Sequence, residues 1–444
     1  MTYTHPEIKT ALPGPKAAAV IALDGQVMTS SVARDYPFVI SHGEGAWVWD
    51  VDGNRFLDMM AGIAVSSTGH SHPEVVKAIK DQTDKFVNMC GHVFYNQGQA
   101  EYAARLTKLA PIKGNGKNKV FFCNSGAEAW EGAMKLAKYA TKRPNIICFY
   151  GAFHGRTWAS ISTNASKVTH RKGFGVMVPG IYHAFYPKTF KCPYDAEIPM
   201  SVKGCIAYIK EVLFAKMVAP EDVAAIALEP IQGEGGYIVP PIEFMQELRK
   251  ICDEHGIMLI CDEVQSGMGR TGKLFAVEHF GIKPDIITSA KGIASGLPLG
   301  AFIANEDVMK WGVAAHGTTF GGNAVAIAAA AKTLDLLEGG LMANAAAVGA
   351  KMLERLKTMI AKYDCIGDVR GIGLMIGIEI VKDKKTNVQP DTKTRDKIQS
   401  ECFKRGVLML GCGSHGIRYC PPLVLTESQA MVALDILEDV LKGL

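Results

Sequence analysis

The sequence has no apolar run long enough to span a bilayer, no Cys-x-x-Cys pair and no extended block of basic side chains. The first absence speaks against a membrane-embedded protein. The second leaves eleven cysteines (Cys90, Cys123, Cys148, Cys192, Cys205, Cys252, Cys261, Cys365, Cys402, Cys412 and Cys420), several inside apolar stretches. That usage argues against a zinc or other metal site and for reduced thiols serving as small hydrophobes in the cytoplasm. The third leaves Lys382-Asp383-Lys384-Lys385 as the longest basic cluster, read as a solvated turn, in a chain of formal charge +4. So small and scattered a charge excludes a nucleic-acid partner. Residues 1–16 hold prolines and charges where a secretory signal needs an apolar core. There is no internal repeat, low-complexity segment or long linker.

What is present suits a soluble globular protein. The 444 residues are 48% hydrophobic and 21% charged, enough for one large α/β domain and a smaller one. Short apolar runs over 119–123, 146–150, 224–228, 257–261, 286–289 and 301–304 alternate with helical patterns such as 128–141 and 243–254. Runs so short and uniformly apolar suit strands covered on both faces, hence an α/β fold with a mostly parallel sheet. The ends read differently. Residues 38–58 predict a β-hairpin with Asp52-Gly53 as its turn. Helices near 323–337 and 340–363 lead into a strand region over 371–377. A smaller α+β domain built from both ends follows.

Three motifs could carry chemistry. Cys123-Asn124-Ser125-Gly126-Ala127-Glu128 follows a strand and opens a helix. Small residues there let backbone N–H groups reach an anion such as phosphate at the positive end of the helix. Alone it also reads as an ordinary cap, with Ser125 and Glu128 as a capping box. Asp262-Glu263-Val264-Gln265 ends an apolar strand, where ligands of open parallel sheets collect; a turn carboxylate is the plainer reading. Ser289-Ala290-Lys291-Gly292 sets a lysine just past another strand. Partly buried, such a lysine has a lowered pKa and attacks carbonyls, although most lysines are simply solvated. Gly411-Cys412-Gly413-Ser414-His415-Gly416 fits a dinucleotide fingerprint but lacks the flanking strand and helix, and prolines follow at 421 and 422.

Together, a phosphate cradle, a strand-end acid and a strand-end lysine are what pyridoxal 5′-phosphate (PLP) requires for its phosphate, pyridine nitrogen and aldehyde. In this order the motifs resemble the class III (ω-amino-acid) aminotransferases of PLP fold type I. The resemblance also takes in Phe153-His-Gly-Arg-Thr157, Glu229-Pro-Ile-Gln-Gly-Glu-Gly-Gly236, Thr319-Phe-Gly-Gly-Asn323 and Arg418. It implies a large domain with a mostly parallel seven-stranded sheet between helices, plus a smaller α+β domain from both chain ends. The boundaries expected are 1–70 for an N-terminal arm and part of the small domain, 71–325 for the PLP-binding domain and 326–444 for the C-terminal small domain.

By the same resemblance, Lys291 and Asp262 are the catalytic pair. Lys291 holds the cofactor as a Schiff base and moves the proton, and Asp262 pairs with the pyridinium. Gln265 meets the ring hydroxyl, Phe153 and Val264 sandwich the ring, and Ser125, Gly126 and Ala127 hold the phosphate. Thr319 reaches that phosphate from a second subunit, which implies a homodimer with shared sites, free or paired into tetramers. Arg156 binds the distal carboxylate of the substrate, Arg418 the α-carboxylate of glutamate or 2-oxoglutarate, and Glu234 covers Arg418 when no α-carboxylate is present. Upstream of Gly69-His-Ser-His-Pro73, the position that holds tyrosine in ornithine enzymes is Ile63, as in enzymes that use 4-aminobutyrate or acetylornithine. This argues against free ornithine and leaves an acetylornithine-type enzyme as an alternative. Extra sequence around 182–220, relative to acetylornithine enzymes, favours 4-aminobutyrate as amino donor with a keto acid as acceptor. The segment Leu12-Pro-Gly-Pro-Lys-Ala17 also resembles a branch with amino-acid racemases, so a racemase or epimerase is the rival. A catalytically silent scaffold is a second, which the intact Lys291 and Asp262 oppose. The family's usual proline after Asn323 is Ala324.

Overall fold

Uniformly apolar runs cannot rest on a wet surface, and here they assemble into one buried sheet. A computed structural model describes residues 3–188, 201–385 and 387–444; Cys192 and part of the 182–220 stretch lie outside the described residues. The sheet has seven strands: β1 (Asn118–Cys123), β2 (Asn145–Phe149), β3 (Ile181–Ala184), β4 (Val223–Leu228), β5 (Met258–Asp262), β6 (Ile286–Ser289) and β7 (Gly300–Asn305), in the order β1-β7-β6-β5-β4-β2-β3. All neighbours run parallel except those of β7, which is antiparallel to β1 and β6. Every residue of β4, β6 and β7 is buried, as expected of strands covered on both faces. Helix α1 (Gly126–Thr141) lays Ala129, Trp130, Ala133, Leu136 and Ala137 on this sheet, and α2 (Ile242–His255) covers it with Phe244, Met245, Leu248 and Ile251.

Six of these strands match the apolar runs. The seventh, β3, completes the expected seven but matches none of those runs. It is an edge strand with three half-buried residues, so its Tyr182 and His183 break the apolar pattern.

Two further sheets use the chain ends. Ile40–Glu44, Trp47–Asp50 and Arg55–Asp58 form an antiparallel meander, and Val407–Leu408 from the far end pairs in parallel with its last strand. The expected single hairpin is therefore two, because Gly45 turns the chain at φ 58° before the Asp52-Gly53 turn is reached. The strand region over 371–377 is likewise the corner of a hairpin between Ile366–Ile372 and Met375–Asp383. Leu374 is buried within that corner, so the apolar pattern runs on through the turn. Gly411–Gly416 is another hairpin corner, between Leu410–Cys412 and Gly416–Tyr419. Helices α3 (Ala324–Leu336) and α4 (Met342–Lys362) fall where the sequence put them. Ala324 is the first residue of α3, after its Asn323 cap, where a proline's missing N–H would also be harmless. No helix among the described residues is long and apolar enough to cross a membrane.

Candidate active site

Parallel strands bring their carboxyl ends to one edge, and that edge holds a cavity of about 310 Å³. Because β7 runs the other way, its first residue, Gly300, lies there too, opposite Cys123.

Ser125 is extended (φ −150°) and caps α1, its Oγ accepting from the Glu128 N–H at 3.2 Å. The Glu128 carboxylate accepts from the Asn124 N–H at 2.6 Å and from its side-chain amide at 3.0 Å. The box is thus shifted by one residue, and Ser125, Gly126 and Ala127 line the cavity at the first turn, where helical N–H groups lack partners. The cradle tolerates no added carbon. A Cβ on Gly126 would come within 2.9 Å of Val264, and one on Gly300 within 2.3 Å of the Ser125 carbonyl oxygen.

Asp262 ends β5. Its Oδ1 accepts from the Val264 N–H at 3.1 Å and the Thr288 hydroxyl at 2.9 Å, and its Oδ2 from His154 Nδ1 at 2.6 Å. His154 is buried and stacked on Trp130, rings 3.6 Å apart and 5° from parallel. Its Nε2 has no partner among the described residues, so a proton on Nδ1, donated to Asp262, is the arrangement that strands no N–H. Nothing in the sequence marks His154 beyond its place beside Phe153.

Lys291 follows β6 at φ 47°, a left-handed conformation that costs a lysine about 1 kcal/mol. Its amine makes no hydrogen bond among the described residues. Burial pushes its pKa below the ordinary lysine value, against the opposing charge of Asp262 and with some help from Arg418. More of the amine is therefore unprotonated, and so nucleophilic, near neutral pH than in a surface lysine.

Phe153 and Val264 both line the cavity. The Phe153 N–H donates to Glu229 Oε1 at 2.8 Å, and Gly233 N–H to Glu229 Oε2 at 2.6 Å. Burial, opposed by His154 and reinforced by Asp262, raises the Glu229 carboxyl to about 7. Gln265 Oε1 accepts from the Tyr237 hydroxyl at 2.8 Å, which leaves its amide N–H₂ as the group to offer the cavity. Burial holds the Tyr237 hydroxyl well above its ordinary pKa, so it remains a donor.

The other expected residues lie around this cavity rather than in its wall. Arg418 is buried over the Tyr237 ring, 5.9 Å from its centroid, and its Nη2 lies 3.2 Å from Glu234. Glu234 Oε1 accepts from Lys167 at 2.6 Å, a partner the sequence did not suggest. Arg156 is exposed and sits over the Phe153 ring at 5.4 Å. Ile63 is 40% exposed at φ 66°, inside a left-handed turn from Ala61 to Ala64; Val65, two residues on, reaches the cavity. Thr319 is exposed, while its neighbour Thr318 accepts from the Asn124 amide at 3.3 Å.

Residues 29–441 match the family model for class-III aminotransferases. The chain is 38% identical to an alanine/serine racemase of Pyrococcus horikoshii, over 99% of this chain and 93% of that one. It is 39% identical to the 4-aminobutyrate aminotransferase GabT of Escherichia coli, over 93% of this chain and 95% of that one. A PLP-bound amine transaminase from an uncultivated Pseudomonas species superposes with a TM-score of 0.84 at 31% identity, covering 98% of this chain and 99% of that one.

Proposed function

The chain belongs to the class-III aminotransferases, and from that premise we propose that it moves an amino group from an ω-amino acid such as 4-aminobutyrate to 2-oxoglutarate, giving a semialdehyde and glutamate. Its cofactor is pyridoxal 5′-phosphate. The residues fit that group: a helix N-terminus without room for a Cβ suits the phosphate, and an amine and a carboxylate share the cavity. When bound, PLP supplies a carbonyl for the substrate amine and an electron-poor ring that accepts the electron pair left when a C–H bond of the amine-bearing carbon breaks.

Ser125, Gly126 and Ala127 would hold the phosphate, Phe153 and Val264 the ring faces, and the Gln265 amide the ring hydroxyl. Asp262, fixed by three donors, would keep the pyridine nitrogen protonated. Lys291 would attach the cofactor, then lift the proton from the amine-bearing carbon, a task its lowered pKa favours. Thr319 would complete the phosphate site of a second subunit. In support, Thr318 and Gly321 share a surface cavity with Phe94 and Tyr95, next along the chain to exposed Val93 and Phe320. Apolar patches of that kind mark protein interfaces, so the assembly proposed is a homodimer with shared sites.

The observation that carries the substrate reading is the pair of buried Arg418 and half-buried Glu234 at 3.2 Å. An ω-amino acid brings no α-carboxylate, and Glu234 supplies the missing charge. Glutamate brings one and displaces it. Arg156, at the Phe153 face, remains for the distal carboxylate both substrates share.

A second reading, amino-acid racemisation, has the support of the Pyrococcus relative, which matches 99% of this chain. One panel separates the two. PLP-loaded protein given 4-aminobutyrate and 2-oxoglutarate should release glutamate. Inversion of L-alanine or L-isoleucine without any keto acid, with no glutamate from 4-aminobutyrate, would overturn the transaminase reading.

A further inference from the structure

We propose that Lys167 is a positioning residue that holds Glu234 when it leaves Arg418, and so sets how readily the site admits substrates bearing an α-carboxylate. The inference rests on the substrate reading above and adds a residue to it.

Glu234 is not a simple partner of Arg418. Its two oxygens are divided, Oε1 to Lys167 at 2.6 Å and Oε2 to Arg418 at 3.2 Å, so the shorter contact is to Lys167. Its side chain is only 16% exposed, and a carboxylate that left Arg418 with no other cation beside it would be stranded. Lys167 removes that obstacle, because Oε1 can keep its partner while Oε2 withdraws. Space for the movement lies on the Lys167 side. A cavity of about 450 Å³ there is bordered by Lys167, Ser166, Gln232, Gly235 and Gly413. The backbone of Glu234 is pinned meanwhile, its carbonyl accepting from the Gly413 N–H at 2.7 Å. The side chain can therefore turn without the loop. Lys167 itself is 37% exposed and lines a second opening of about 340 Å³ with Asp35 and Arg395, so it can follow the carboxylate outward.

The two Glu234 positions depend on Lys167 unequally. Against Arg418 the carboxylate has two cations; withdrawn, it keeps Lys167, because Lys188 on the same cavity wall is already paired with Glu379 at 2.9 Å. Removing Lys167 thus penalises the withdrawn position more, and with it every ligand whose α-carboxylate needs Arg418.

The test uses PLP-loaded Lys167→Met and Lys167→Arg. With Lys167→Met, the KM for glutamate and the calorimetric Kd for glutarate should rise about tenfold, the value of one partly exposed charge-assisted hydrogen bond. The kcat of the glutamate half-reaction should fall far less than its KM rises, and the 4-aminobutyrate half-reaction should lose much less than the glutamate one. Lys167→Arg should recover most of the loss. Equal losses in both half-reactions, or unaltered glutarate binding, would overturn the proposal. If the wild type never consumes 4-aminobutyrate, the substrate reading fails instead. Binding of glutarate and L-alanine still judges Lys167 in that case.

Discussion

Lys291 combines two costs, a left-handed backbone and a buried amine, and neither stabilises the fold. Replacement should therefore relieve strain while abolishing turnover. Lys291→Gly should be about 1 kcal/mol more stable than Lys291→Ala, since only glycine takes positive φ freely. Both should bind PLP without a covalent bond, and borohydride reduction of the wild type followed by peptide mapping should label Lys291. A label on another lysine, or a glycine variant no more stable than the alanine one, would contradict the assignment. Glu263, beside Asp262, behaves differently. It is fully buried, and burial, opposed by the Ser266 hydroxyl and the Val277 N–H, raises its carboxyl to about 7 from 4.5. A raised folded-state pKa means the folded protein holds a proton that the unfolded chain releases. The resulting stability is present in full below about pH 4.5 and lost as pH rises through 7. Glu263→Gln cannot ionise. Relative to it, the wild type should lose stability between pH 5 and 8, by roughly 3 kcal/mol at most. Urea titrations of both proteins at the two pH values measure this, and a constant gap refutes it.

Among the elements, the strands that carry the site were legible because burial on both faces demands uniformly apolar residues. What was not legible was the edge strand β3 and the hairpin corner at Leu374, where exposure or burial departs from the usual link between polarity and position. The junction of β7 with α1 yields a sharper expectation. Gly300→Ala would set a methyl 2.3 Å from the Ser125 carbonyl oxygen and 2.8 Å from the Cys123 sulfur. Overpacking of this kind costs about 1–3 kcal/mol, and here the strain falls on the residues proposed to hold the phosphate. PLP affinity should drop at least about tenfold, or 1.4 kcal/mol, while the sheet persists. Fluorescence titration with PLP alongside thermal unfolding would check it. Lost stability with undiminished PLP affinity would mean that the cradle does not depend on this contact.

For the molecule as a whole, exposed Thr319 beside exposed Phe320 is the surface that the proposed homodimer would cover. The wild type should sediment at about twice its 47.8 kDa chain mass. Thr319→Ala should weaken PLP binding without dissociating the dimer; a monomer that binds PLP as tightly as the assembled protein would rule out the shared site. The sequence by itself determined the α/β class, the apolar strands and the three segments Asn124–Ala127, Asp262–Gln265 and Lys291 whose residue types match one cofactor. Those features are local, because strand composition follows from burial and each motif is contiguous. It also listed Arg418 and Glu234, but only as members of a family pattern. The partners were decided by tertiary structure. His154 meets Asp262 across 108 residues, and Lys167 meets Glu234 across 67. Such pairings leave no periodicity or spacing in the chain. They exist because parallel strands deliver their ends to one edge, where the low dielectric makes each unpaired charge costly and each pairing specific.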